Sequence, residues 1–441
     1  MRSPLDRRQL RGQFTVQESA KLLSNYSFIE KQLMRVLSGW MPKVPEWDAK
    51  LNFGRQLYED SIHADKLRQR LIELRVAPKA LDKPHTGLAR VVAEVDQATD
   101  TLELMVGIYR VIKPQLIGAY SHYLEATSDV ADSPSDWLLR EVIADEERHV
   151  RWGEAFIQSL CKTKEDHARA RVFQDRVNDI LVKIGGVSAE DQELNSDLLT
   201  DDFGENWLAF WQGSKDKKKR FELTGNYKPS VPECKRDENF KGNLRIPRAS
   251  VGDDPKQELL SRMHKMSNSE LGAAEVLGLT IYEASGMPWD FYKDAARQLW
   301  DEIRHAEVAQ KRLEDLGGYI GMFEECAGGN YERRVSMELP LRIATLGPIE
   351  EANLQFDFKR MRDEAIAQKD FETALLYDYV LADETTHVRY TTKWLKWMAD
   401  GDLTVMQDWI DKAREKNRQY FEDIAKELGQ EEVYIDAYIV R

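Results

Sequence analysis

Eight histidines stand in the 441-residue chain, and five of them follow an acidic residue by three positions. Asp82/His85 has Pro84 between its members, which breaks helical geometry, and is set aside. The other four pairs, Asp60/His63, Glu146/His149, Glu302/His305 and Glu384/His387, lie in stretches that read as helix. Positions i and i+3 of a helix project from one face, so a carboxylate oxygen and an imidazole nitrogen meet the same space. Carboxylates are hard donors that bridge two cations, and imidazole suits iron. One such pair means little. Two pairs joined by Glu275 and Glu351 make a six-donor set: Glu275, Glu302, His305, Glu351, Glu384 and His387. Four negative charges then balance two divalent cations. The bland alternative is surface carboxylates or buried salt bridges, but burying four acids at one height without cations is costly.

The elements that must position these donors repeat along the chain. Ala144-Asp145-Glu146-Glu147-Arg148-His149 matches Ala382-Asp383-Glu384-Thr385-Thr386-His387, and Asp60-Ser61-Ile62-His63-Ala64-Asp65 matches Glu302-Ile303-Arg304-His305-Ala306-Glu307. Earlier, Glu30 with Ser38-Gly39-Trp40-Met41-Pro42 is set against Glu275 with Ala284-Ser285-Gly286-Met287-Pro288. Order and near-constant offset indicate a duplicated domain. The expected fold is all-α, with two tandem four-helix bundles joined by a long, partly helical linker. Helices are expected near 18–40, 51–75, 100–127 and 135–162, then 269–284, 289–316, 339–367 and 371–398. Pro348 should kink the third helix of the second copy. The expected domains are 1–165, 166–255 (helix and linker), 256–400 and 401–441, the last holding an amphipathic helix over 405–428.

Antiparallel geometry ranks the donors. With one turn centred near residue 288, Glu275 lies about 13 and Glu302 about 14 residues away. With the other near 368, Glu351 and Glu384 lie about 17 and 16 away, so spacing prefers Glu351 to its neighbour Glu350. The first copy supplies only Glu30, Asp60, His63, Glu146 and His149. Aligning Pro114 with Pro348 puts Ile117 at the Glu351 position, and Glu103 and Glu125 are too far away. A decayed or single-metal site with a scaffolding role is expected there.

Asp145, Asp301 and Asp383 directly precede ligand positions, where a carboxylate accepts the free N–H of a ligating histidine. On these residues the sequence resembles the ferritin-like di-iron carboxylate superfamily. Asp301-Glu302-Ile303-Arg304-His305 and Asp145-Glu146-Glu147-Arg148-His149 are similar to the DExRH signature of bacterial multicomponent monooxygenase hydroxylases. The resemblance covers the two bundles, and its motifs are specific for the metal site rather than for a substrate. It implies two iron ions, with a Mn/Fe pair left open, and O2 as co-substrate. It also implies a non-haem di-iron oxidase or oxygenase that hydroxylates, N-oxygenates or abstracts C–H from a small organic substrate.

Within that superfamily, Ala309 stands where radical-bearing ribonucleotide reductase subunits carry a tyrosine, and Leu354 stands where rubrerythrins carry a second glutamate. Cage-forming ferritins are single short bundles. Glu302 and Glu351 are the expected catalytic carboxylates. Gln355, one turn after Glu351, and Tyr282, two turns after Glu275, would orient substrate or else be core. Gly272 and Gly278 flank Glu275, leaving room for a ligand or allowing helices to pack closely. No flavin or dinucleotide fingerprint occurs, so electrons would come from an external reductase or from the substrate. A ferroxidase without organic substrate and a non-catalytic scaffold remain the competing readings.

Composition bounds the rest. Hydrophobic residues at 42% allow sizeable cores, and a net charge of −14 argues against a general nucleic-acid binder. The basic run Lys217-Lys218-Lys219-Arg220 reads as a solvated loop, and Asn206 to Trp211 as a docking segment. No stretch approaches the roughly 18 apolar residues a membrane span needs, and residues 1–13 lack the apolar run of a secretory signal. Cys161, Cys234 and Cys326 form no CxxC pair, which fits a reducing cytoplasm. A homodimer is compatible with all of this.

Overall fold

A computed structural model describes residues 12–81, 86–188, 234–240, 254–323 and 329–429. The fold is all-α, as expected, with no strand among the described residues. The basic run, the Asn206–Trp211 segment, Cys326 and His85 lie outside them. No helix among the described residues is long and apolar enough to cross a membrane.

The described chain divides into two compact units whose boundaries differ from the sequence reading. Unit 1 runs to Leu37 and resumes at Gln56, and it includes the helix over 164–183. Unit 2 takes Ser38–Arg55 together with the residues from Cys234 onward. Close packing inside unit 2 explains why the short hairpin belongs there. A Cβ on Gly39 would lie 2.4 Å from the Tyr282 ring, and one on Gly278 would lie 2.5 Å from the Ser38 carbonyl oxygen. Gly278 therefore serves helix packing and leaves no room for a ligand.

Unit 1 uses most of α1 (Val16–Trp40) and α2 (Trp47–Glu73), then α3 (Thr86–Asp96) and α4 (Thr101–Met105). A π-helical turn, Val106–Ile112, leads into α5 (Lys113–Ala126), followed by α6 (Ser133–Leu160) and α7 (Lys164–Lys183). Thr163 and Asp166 cap α7 reciprocally.

Unit 2 contains α8 (Pro255–Glu283), α9 (Trp289–Asp315), α10 (Gly329–Val335) and α11 (Leu339–Ala344). A second π-helical turn, Thr345–Glu351, leads into α12 (Ala352–Ala367), and α13 (Phe371–Met398) and α14 (Leu403–Leu428) come after it. α8 packs along α9 and α12 along α13, around a core that includes Met263, Leu313, Phe358 and Tyr377.

Two local features set the height of the donors. α8 begins well before residue 269, because Asp254 caps it, accepting from Lys256 N at 2.9 Å, and Pro255 fills the first turn. It ends at Glu283, and α9 starts at Trp289, so the turn centres near 286 and not 288. Pro348 does not simply kink its helix. It lies inside the π-helical turn, where the widened ring absorbs the missing N–H and the added residue rotates Glu351 inward.

Candidate metal centres

Unit 2 brings six donors together from four helical segments. Ligand atoms of Glu270, Glu302, His305 and Glu384 lie within 4.8 Å of one another, as do those of Glu302, Glu351 and His387. Glu302 belongs to both groups, and all six residues are buried. His305 Nδ1 lies 3.6 Å from both Glu302 and Glu384. His387 Nδ1 lies 3.3 Å from Glu302, 3.7 Å from Glu384 and 3.8 Å from Glu351. Among the described residues neither Nδ1 has a hydrogen-bond partner, and neither do Glu351 Oε2 and Glu384 Oε2. Buried polar atoms are seldom left so, and these all face one volume.

The outer nitrogens are held crosswise. Nε2 of His305, on α9, meets Asp383 of α13 at 3.2 Å, and Nε2 of His387, on α13, meets Asp301 of α9 at 3.3 Å. Arg304 pairs with both aspartates. Gln298 donates to Glu351 Oε1 at 2.6 Å and fixes that carboxylate. Imidazoles oriented by outer carboxylates, with Nδ1 turned inward, are the arrangement metal ligands require.

Electrostatics show how much positive charge this volume demands. Burial, with Glu302 and Glu384 beside it, pushes the Glu270 carboxyl well above the usual carboxylate range. Burial and Glu384 raise Glu351 in the same way. Burial also favours a proton on Glu302, but the two imidazoles outweigh it and hold this carboxyl at about 2. Burial lowers the His305 imidazole, yet Asp383, Glu302 and Glu384 lift it to about 10. The carboxylates thus draw in protons. Two divalent cations would supply the same charge and release them. The donor set fits such a pair.

Of the residues expected from sequence, Glu302, His305, Glu351, Glu384 and His387 are brought together, and Glu275 is not. Glu275 is buried elsewhere, accepting from Lys50 Nζ at 2.6 Å, Arg236 Nη2 at 2.7 Å and the Cys234 thiol at 3.0 Å. Burial raises its carboxyl, but Arg236 and Lys50 outweigh that and hold it below the usual range. Glu270 takes the place expected of Glu275. The error came from the turn: shifting its centre by about two residues moves the matching position by about twice that. The repeat itself carried the missing signal, since Glu30 to Glu270 is 240 residues, between the offsets of 242 for Asp60/Glu302 and 238 for Glu146/Glu384.

Glu350, the rival to Glu351, is paired with Arg333 at 2.6 Å and with Arg334. Gln355 Nε2 reaches the Glu384 backbone carbonyl at 3.3 Å, against the helix that carries two donors. Tyr282 is core, twelve residues beyond Glu270, which is about 18 Å along a helix.

Unit 1 repeats the cluster with two changes, Asp60 for Glu302 and one that alters the charge. Ligand atoms of Glu30, Asp60, His63 and Glu146 lie within 4.8 Å of one another, all buried. Glu30 Oε2, Asp60 Oδ2, His63 Nδ1 and Glu146 Oε2 lack hydrogen-bond partners among the described residues. His149 Nδ1, by contrast, lies 3.1 Å from Lys113 Nζ, which donates to Asp60 at 2.8 Å and to Glu146 at 2.7 Å. Lys113 and Glu351 are 238 residues apart, the offset of His149 and His387, so lysine stands where unit 2 has glutamate. Ile117 is not the counterpart. Pro114 opens α5 after its π-helical turn, whereas Pro348 lies within its own, so the two prolines are not equivalent. The outer shell persists: His63 Nε2 meets Asp145 at 3.2 Å and His149 Nε2 meets Glu59 at 2.6 Å.

The molecule is therefore an all-α protein carrying one complete six-donor cluster and one in which an ammonium replaces a carboxylate. Residues 198–432, more than half of the 441, match the family described as protein of unknown function DUF455, and the chain belongs to it. That span includes all six donors of unit 2 and none of unit 1. No curated protein and no solved structure matches the chain.

Proposed function

We propose that the chain is a non-haem di-metal oxidoreductase, iron being the first choice of metal, that uses O2 to oxidise a small organic substrate at the unit 2 cluster. The observation that carries this is the convergence of two partnerless Nδ1 atoms and two partnerless carboxylate oxygens on Glu302. Glu270, Glu302, His305 and Glu384 would hold one cation and Glu302, Glu351 and His387 the other. Two iron ions held there supply electrons to O2 and act as Lewis acids. Asp301 and Asp383 keep each imidazole proton on the outer nitrogen, and Gln298 limits the swing of Glu351. A cavity of about 1000 Å³ borders Glu270, which favours an organic substrate over simple ferrous-iron oxidation.

Unit 1 holds a single cation in this reading. Three carboxylates and one ammonium leave two negative charges, which one divalent ion balances. Metal analysis and O2 consumption test both assignments. The parent should hold three cations per chain, and Glu302→Ala should retain one and lose turnover. A metal-free parent, or undiminished O2 consumption by Glu302→Ala, overturns the reading.

A further inference from the structure

The cavity beside Glu270 is built by α8, α10, the second π-helical turn, α12, α13 and α14, all in unit 2. Much of its wall is charged, and most of those charges are already matched. Arg262 pairs with Glu258 and Glu364, Arg360 with Asp357 and Glu364, Arg414 with Asp411, and Arg418 with Glu415. Arg333 and Arg334 share the carboxylate of Glu350. Arg333 also donates to Asn417 and lies over the Phe421 ring.

Arg334 is 92% buried, and its only hydrogen bond to a described side chain runs from Nη2 to Glu350. Nε and Nη1 have no partner among the described residues. Those atoms carry three of its five N–H groups. A buried cation with three unpartnered donors is costly unless something fills the role, and Arg334 lines the cavity. The pair with Glu350 also puts Arg334 one residue from the donor Glu351. Met266, Leu354, Phe358 and Met361 give the same cavity apolar lining, and Glu270 borders it as well.

We infer that this cavity is the substrate site and that it takes an organic anion. A carboxylate or phosphate head accepts from Arg334, and an apolar body lies along Met266, Leu354 and Phe358 toward Glu270. This deepens the oxidoreductase reading and rests on it for the chemistry, though not for the binding.

Calorimetric titration of the full metal-loaded chain with octanoate, octyl phosphate and octanol tests it. One anion should bind per chain, octanol should bind at least tenfold more weakly, and the better of the two anions identifies the head group. Arg334→Met should weaken anion binding at least tenfold, a charge-assisted hydrogen bond being worth that much. Arg334→Lys should recover part of the loss. Arg360→Met, at an exposed and fully paired arginine of the same cavity, should change binding less than twofold. Equal binding by parent and Arg334→Met, or octanol binding as well as octanoate, overturns the inference. Anion binding that depends on Arg334 in a chain holding no iron would leave the inference standing and sink the redox reading instead.

Discussion

The two clusters match position by position, yet one carries Lys113 where the other carries Glu351. That single exchange moves the local charge by two units, the charge of one divalent cation. In unit 2 both Nδ1 atoms are partnerless, whereas in unit 1 only His63 Nδ1 is, because Lys113 sits against His149. Burial works against the Lys113 charge, but Asp60, Glu146 and Glu30 outweigh it and keep the ammonium protonated. Burial and its acidic neighbours raise Asp60 to about 7 despite Lys113, so lysine alone does not satisfy that site. In the proposed di-metal reading, the Lys113 ammonium stands in for one metal of the pair.

The comparison can be broken most severely at the unit 2 donors. His387→Ala should remove the cation it would hold and all O2 consumption while leaving the unit 1 cation, as read by metal analysis. Lys113→Met leaves Asp60 and Glu146 without the ammonium between them, which should cost about 3–5 kcal/mol in chemical denaturation. Added divalent cation should restore much of that loss. Lys113→Glu should raise the metal content of unit 1 from one to two, making it resemble unit 2.

A smaller effect sharpens the outer shell. Asp383→Asn should weaken metal binding about tenfold to a hundredfold, because His305 loses the acceptor that fixes its ring. The smallest concerns packing. A Cβ on Gly347 would lie 1.7 Å from Thr391 Oγ1, and at the matching positions of unit 1 a Cβ on Gly153 would lie 2.2 Å from the Tyr109 ring. The small partner has changed sides between the units. Gly347→Ala should cost about 1–3 kcal/mol in thermal unfolding, and adding Thr391→Gly should recover most of it.

Much of this was legible in the sequence because acid–x–x–histidine pairs keep their meaning wherever the helix starts. His305 and His387 needed no knowledge of turns. Glu275 was misplaced because a lone carboxylate has no partner to fix its face, and its height depended on a turn centre misjudged by about two residues. Lys113 was missed because prolines were aligned across π-helical turns in which they occupy different places. Arg334 offered no periodic or pairwise signal. Its significance lies in Nε and Nη1 having no partner among the described residues, which only three-dimensional neighbours can show.

The crossed aspartates have a mechanical consequence. Since α9 carries the acid that steers the α13 imidazole, and α13 carries the one that steers the α9 imidazole, neither helix can slide or rotate alone without disordering both rings. In the proposed di-metal reading, filling either half of the centre would stiffen the other, so the two ions should load as a couple, with the second binding more tightly than the first.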